Sequence, residues 1–168
     1  MNETTLTALQ AFPDQLEALY RAFPEASTNW APASWDGVPS EALTALQQIC
    51  HVRDVEIDGY QARFRRTRDE SNPFLPSLDT DGLVIERDYA RQDATVVLAE
   101  FRQARLETIQ WLQTLSDEAW DRPAHFEGYG SVTLRALVYF LSSHDQQHLS
   151  GLQWLMGKLA SPSLENAV

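Results

Sequence analysis

The sequence predicts an all-α protein, a four-helix bundle built by a single domain over residues 1–168. Four segments repeat apolar residues with the 3.6-residue period of an amphipathic helix, and no segment shows a convincing strand period. Turn-forming residues separate these segments, as expected for helices that fold back on one another. With 43% hydrophobic residues, a chain of 168 residues can also form one packed core.

The first two helices are predicted over residues 4–23 and 41–69. Pro13 is expected to kink the first helix or to mark its true first turn. Ser40 is the predicted N-cap of the second helix. The last turns of the second helix are basic, which suits the negative end of a helix dipole, with an anion site as the alternative interpretation of Arg63, Arg65, Arg66 and Arg68.

The third and fourth helices are predicted over residues 86–115 and 132–158, with a tail from about residue 161. Residues 70–84 carry Asn-Pro, Leu-Pro and Asp-Gly pairs and are interpreted as a long loop. A loop of this length in a compact domain is more often functional than idle. Residues 117–131 form a second irregular stretch, in which only a short ribbon over residues 126–132 is expected.

The composition excludes several classes of function. A net charge of −11 repels a phosphate backbone, so we expect no nucleic-acid partner. The single cysteine, Cys50, cannot form an intramolecular disulfide and is interpreted as a small core residue. The chain starts without a signal-peptide pattern and contains no apolar run of about 20 residues, so we expect a cytoplasmic protein without a membrane partner.

Two of the four histidines lie where core leucines are expected in the fourth helix. His144 and His148 continue the apolar stripe made by Leu134, Leu137, Leu141, Leu152, Leu155 and Leu159. Burying two imidazoles without strong partners would cost about a few kcal/mol. Because residues four apart share one helix face, both rings could bind one metal ion. The alternative is that each ring forms a hydrogen bond to a neighbour in the core.

A third ligand is predicted on the second helix. His51 lies in a polar strip with Gln47, Asp54 and Asp58, whose spacing places all four on one face. We expect His51 to bind the ion, with Asp54 or Asp58 as a fourth ligand or as support for an imidazole. The alternative interpretation is a solvated helix face, which applies at least as well to Asp58 and Gln47.

Three histidines with an open position are typical of a catalytic or substrate-binding metal site. Imidazole donors discriminate poorly among divalent metals, and we expect zinc or nickel, with iron as a further candidate. The metal would activate a water or a thiol to attack a small-molecule electrophile. A non-catalytic module, in which the metal stabilises a bundle used for dimerisation or for a stress-response partner, is the alternative.

Two further residues are candidates for a role near such a site. His125 precedes the Gly128-Tyr129-Gly130 turn and is either an acid–base group at the pocket mouth or an exposed loop histidine. Arg105 lies near the stripe of the third helix and either pairs with a buried acid or binds a substrate carboxylate. Apart from His125, these patterns identify no general acid or base.

The chain resembles the DinB-like superfamily, within it the branch of YfiT-like metal-dependent hydrolases. The resemblance rests on Ile49-Cys50-His51-Val52-Arg53-Asp54-Val55-Glu56, Asn72-Pro73-Phe74-Leu75-Pro76, Gly130-Ser131-Val132-Thr133-Leu134 and His144-Asp145-Gln146-Gln147-His148. It implies a bundle with up-down-down-up connectivity and metal ligands at His51, His144 and His148. It also implies hydrolysis or thiol S-transfer with a low-molecular-weight thiol as candidate activities, and a homodimer, which is common among members.

Overall fold

The bundle prediction is confirmed by a computed structural model that describes residues 3–161. The first, third and fourth bundle helices are α1 (Glu3–Arg21), α5 (Ala94–Gln113) and α6 (Leu134–Ala160). The second is a composite, in which α2 (Ala45–Asp54) continues through a π-helical segment (Val55–Gln61) into α3 (Ala62–Asp69). A shorter helix, α4 (Thr80–Glu86), lies between α3 and α5. Residues 1–2 and 162–168, including the predicted tail beyond residue 161, lie outside the described residues.

The connectivity is up-down-down-up. Helix α5 runs antiparallel to α1 and parallel to the α2–α3 composite, and α6 runs antiparallel to that composite. Between α1 and α5, contacts join Asp14 to Arg102 and Leu9 to Arg105. Between the composite and α5, they join Arg53 to Glu100 and Gln61 to Thr108. Between the composite and α6, they join Gln48 to His148 and His51 to His144. The first and fourth bundle helices therefore point one way and the second and third the other.

The second bundle helix begins at Ala45, so the predicted start at residue 41 with Ser40 as N-cap is wrong. Thr44 is the N-cap: its hydroxyl accepts from the Gln47 backbone N–H at 3.4 Å, and the Gln47 side chain accepts from the Thr44 N–H at 3.0 Å. This capping box satisfies two backbone donors, whereas the Ser40 hydroxyl bonds only to the Glu41 carbonyl. Glu41 consequently lies in the connection before the helix.

The third bundle helix also begins later than predicted, at Ala94 instead of residue 86. Asp93 caps it by accepting from the backbone N–H groups of Thr95 and Val96. A break separates it from α4, because Asp88 has a left-handed backbone with φ 46°. The predicted loop over residues 70–84 contains a short strand and most of α4.

Pro13 lies inside α1 without ending it. A proline cannot donate the usual hydrogen bond to the carbonyl four residues earlier, which here is that of Leu9. The buried side chain of Arg105 supplies the missing donor, since its Nη1 donates to the Leu9 oxygen at 3.1 Å. The interior proline is thus compensated by a contact between α1 and α5.

A small sheet covers the ends of α3 and α6. It has the order β1 (Phe74–Leu75), β2 (Pro123–Phe126) and β3 (Gly130–Thr133), with β1 parallel and β3 antiparallel to β2. The predicted ribbon is therefore real, and it begins three residues earlier than expected. Helices in the described part of the chain lack an apolar stretch long enough to cross a bilayer.

The core consists of two apolar clusters separated by buried polar side chains. One cluster contains Phe64, Leu137 and Leu141 and lies toward the sheet. The other contains Phe101 and Leu152 and lies toward the opposite end of the bundle. Along α6, the histidines fall between Leu141 and Leu152, so the candidate site occupies the level at which the two clusters meet.

Candidate metal centre

Three histidines from two helices meet between α2 and α6. The Nε2 atom of His144 lies 3.1 Å from Nε2 of His51 and 3.1 Å from Nε2 of His148. One ligand atom from each residue lies within 4.8 Å of the others. Two nitrogens bound tetrahedrally to one zinc at about 2.1 Å would be about 3.4 Å apart. The spacing therefore fits a single divalent ion.

The three rings are held out of water. His51 and His148 are buried and His144 is half-buried. Burial, and then the neighbouring His148, lower the pKa of His51 to about 4. Burial likewise lowers the pKa of His144 well below its usual value. At neutral pH both rings are therefore uncharged, which is the form that binds a metal.

Gln48 fixes the orientation of His148. The Nδ1 of His148 donates to Oε1 of Gln48 at 2.8 Å, and the Gln48 amide nitrogen faces the Leu43 carbonyl. In a neutral ring with a protonated Nδ1, the lone pair is on Nε2, which points at the other histidines. Gln48 is fully buried. The sequence pattern did not identify it as a site residue, because the polar strip contains its neighbour Gln47 instead.

Glu41 is the second residue that the sequence did not reveal. Its carboxylate oxygens lie 3.3 Å from Nε2 of His148 and 3.8 Å from Nε2 of His51. The adjacent imidazole of His148 lowers the pKa of Glu41 to about 2, so the carboxylate is ionised at neutral pH. An ionised carboxylate and an imidazole lone pair repel each other unless a cation lies between them. The three imidazoles and this carboxylate thus fit a metal ion. In the sequence, the signal that Glu41 precedes the helix is the Thr44–Gln47 capping box.

A close approach between the chain before α2 and helix α6 positions Glu41 and Gln48. It occurs at Gly151, one turn after the last histidine. A Cβ atom at this position would overlap the hydroxyl oxygen of Ser40 and come within 2.8 Å of the Gln48 amide nitrogen. A side chain here would force the ends of Ser40 and Gln48 to move, and movement of Gln48 would disturb the amide oxygen that accepts from His148.

Asp54 and Asp58 lie in a charge network beside the site. Asp54 is buried and accepts from Tyr89 Oη at 2.5 Å and from Arg53 Nε at 2.8 Å, while Arg87 bridges the two aspartates at 2.9 and 2.8 Å. Within residues 3–161, no hydrogen bond joins either aspartate to His51. No hydrogen bond in the described residues supports the predicted role of these aspartates in orienting His51, and that role stays a prediction.

His125 is not brought to the histidine group. It lies on the exposed side of β2, where its ring stacks on Phe74 with centroids 5.7 Å apart. The alternating burial of β2 places Ala124 and Phe126 inward and His125 outward. Of the two interpretations offered for it, the exposed histidine agrees with this position.

Arg105 pairs with two buried acids next to the centre. It donates to both oxygens of Asp145 at 2.7 and 3.0 Å and to Glu56 at 2.9 Å, and Thr108 donates to Glu56 at 2.5 Å. Burial raises the pKa of Asp145 to about 7, against the opposing effect of Arg105. Of the two roles considered for Arg105, the structure shows the pairing with buried acids. Asp145 directly follows His144, so this triad helps to fix that histidine.

We expect acid to remove a bound metal only well below the ordinary histidine pKa. The pKa of His51 is about 4 in the folded chain against a usual 6.5. A lowered pKa contributes stability that is fully present above about pH 6.5 and is lost as the pH falls toward about 4. In a zinc titration monitored by calorimetry, affinity should change little from pH 7 to 6. A midpoint of zinc release near pH 6.5 would contradict the burial of this ligand.

The fold and the site together define a four-helix bundle with a three-histidine centre. The model of the DinB superfamily matches residues 8–151, and the chain belongs to this superfamily. Its structure is similar to that of YfiT from Bacillus subtilis, described as a probable metal-dependent hydrolase with an unusual four-helix bundle topology. The TM-score is 0.80 at 19% sequence identity, covering 96% of this chain and 91% of that chain. A search of the curated proteins finds no match.

Proposed function

We propose that this protein is a metal-dependent hydrolase of a small molecule, with His51, His144 and His148 as the ligands of a divalent ion. One observation carries the proposal: in a buried layer of the bundle, the Nε2 atoms of His51 and His148 each lie 3.1 Å from that of His144. Such a cluster is costly to bury unless a cation binds it. The description of YfiT as a probable metal-dependent hydrolase supports the same activity.

The ligand number supports catalysis over a purely structural site. Structural zinc sites are closed by four protein ligands, whereas three histidines leave a position open. Glu41 faces the histidine nitrogens from an irregular connection, and its side chain is 44% exposed. A carboxylate held this loosely would leave room for a substrate beside the histidines. Three nitrogen donors suit zinc or nickel, with iron as a further candidate.

The residues around the centre have separable roles. A divalent ion held by the three neutral imidazoles would supply a water of lowered pKa as the nucleophile. Gln48 orients His148 so that its Nε2 faces the other two histidines, and Glu41 would accept the proton of the attacking water. Burial of the imidazoles excludes bulk water from their side of the site and strengthens electrostatic interactions there.

A carboxylate beside the open position favours hydrolysis over transfer to a thiol, because attack by water needs a proton acceptor. Thiol S-transfer, a homodimer and a cytoplasmic location stay predictions, as do a small-molecule substrate and the absence of nucleic-acid and membrane partners. The non-catalytic module remains the alternative function.

Assays of small esters, amides and thiol–electrophile pairs, each with zinc-loaded and metal-free protein, separate these functions. Equal rates with and without metal would favour the module.

Glu41→Gln is the variant that tests the proposed mechanism. The amide cannot accept a proton, so hydrolytic kcat should fall by about 10²–10⁴-fold. The three histidines should retain zinc with an affinity within about tenfold of the wild type, because Glu41 is exposed. Glu100→Gln, which alters an exposed carboxylate that pairs with Arg53, is the control and should leave both quantities unchanged. Unchanged turnover in Glu41→Gln would exclude this role.

A further inference from the structure

Arg63 is a buried cation without an anionic partner. Its exposed fraction is 8%, and none of the carboxylates in the described ranges lies within ion-pair distance of it. One hydrogen bond is formed, from Nη2 to the Pro76 carbonyl at 3.4 Å, and the buried Nε has no partner. A guanidinium has five N–H donors, so most of its capacity is unused.

None of the other arginines of α3 is both buried and without an anionic partner, as Arg63 is. Arg66 forms two hydrogen bonds to Glu70, Arg68 forms two to Asp69, and Arg65 donates to Gln61. These three side chains are exposed or half-buried. A helix dipole explains charges at the helix end, but it does not explain why one of them is buried near the start of α3.

The surroundings of Arg63 hold its guanidinium in place on one side. The guanidinium carbon lies 4.5 Å from the ring centre of Phe126 and 5.1 Å from that of Tyr60. Gly59 makes room for it, since a Cβ there would lie 3.0 Å from Nη1 of Arg63. Burial lowers the pKa of Arg63, a sign that the charge is poorly compensated.

A cavity of about 210 Å³ lies on the other side, between α3 and residues 75–78. It is lined by Gly59, Arg63, Leu75, Pro76 and Ser77, together with Asp58 and Arg66. The charges of Asp58 and Arg66 are compensated by Arg87 and Glu70. Arg63 is thus the uncompensated charge at this cavity in the described part of the chain.

We propose that Arg63 binds the carboxylate or phosphate group of a small molecule in this cavity. The planar guanidinium can donate two parallel hydrogen bonds to either group. The anion would replace the missing counter-ion and satisfy the idle donors. Of the two interpretations of the basic helix end, the anion site therefore applies to Arg63 alone. This inference does not depend on the metal centre or on the proposed hydrolysis.

Isothermal titration of the full chain with inorganic phosphate and, separately, with acetate tests the proposal. The protein is used both zinc-loaded and metal-free, because phosphate also binds metal ions. We expect one site per chain and weakening of at least tenfold in Arg63→Met, whose side chain retains the packing against Tyr60 and Phe126. Arg65→Met removes the same charge outside the cavity and should bind as the wild type does. The stronger of the two probes identifies the preferred anion.

Thermal unfolding in anion-free buffer provides the second measurement. Arg63→Met should melt at the same temperature as the wild type or higher, because the substitution removes an uncompensated buried charge. Added anion should raise the melting temperature of the wild type only. The proposal is overturned by the absence of anion binding, by equal binding in Arg63→Met, or by unfolding of that variant in anion-free buffer, which would make Arg63 a structural residue.

Discussion

His148→Ala is expected to lower the affinity for zinc by at least about a hundredfold. Even loss of a residue that only supports a ligand costs about 10–100-fold in metal affinity, and this variant removes a ligand itself. The substitution also leaves the buried amide oxygen of Gln48 without its donor. Zinc affinity is measured by competition with a chromophoric chelator, and circular dichroism establishes that the variant still folds.

Two variants make this result specific to the proposed ligands. His125→Ala removes an exposed histidine outside the group and should bind zinc as the wild type does. His51→Leu removes a ligand but adds apolar bulk in a buried position, so it should lose zinc while the metal-free protein retains or gains stability. If His51→Leu unfolds like a core truncation, or if His148→Ala retains full affinity, the three-histidine site is wrong.

Arg105→Met is expected to destabilise the fold by about 3–5 kcal/mol, because it leaves Glu56 and Asp145 buried without their counter-ion. It also removes the donor to the Leu9 carbonyl that Pro13 leaves unpaired. The midpoint of urea unfolding should fall without a change in its slope.

Arg102→Met is the matched control for this prediction. Arg102 lies one turn away on α5 and pairs with Asp14 and Glu17 at the surface. Loss of this exposed pair should cost no more than about 1 kcal/mol. Equal losses in the two variants would show that the buried triad contributes no more to the free energy of unfolding than a surface pair.

The helices and the three histidines were predictable because both follow a period. The apolar stripe of α6 places residues 144 and 148 on the buried face, and a 3.6-residue repeat tolerates small errors in helix bounds. The strip on the second helix was less decisive. It singled out His51, which the structure brings close to His144 and His148. The same spacing also singled out Asp54 and Asp58, whose contacts are with Arg53, Arg87 and Tyr89.

The residues that were missed depend on contacts between distant parts of the chain. Gln48 reaches His148 across 100 positions, which no local pattern reveals. The π-helical segment is a second example, because it changes which residues face α6 after Asp54 and has no simple sequence signal. For Arg63 the sequence left an anion site as an alternative, because its lack of a counter-ion is a property of the folded chain. Glu41 was predictable in part, from the Thr44 capping box.

The metal content of the protein tests the central claim most directly. The protein is produced without a histidine tag, dialysed against zinc or nickel, freed of excess metal and analysed by inductively coupled plasma mass spectrometry. We predict about one divalent ion per chain in the wild type, and much less than one when any of His51, His144 or His148 is replaced. A wild-type protein that remains substoichiometric after exposure to either metal would contradict the account.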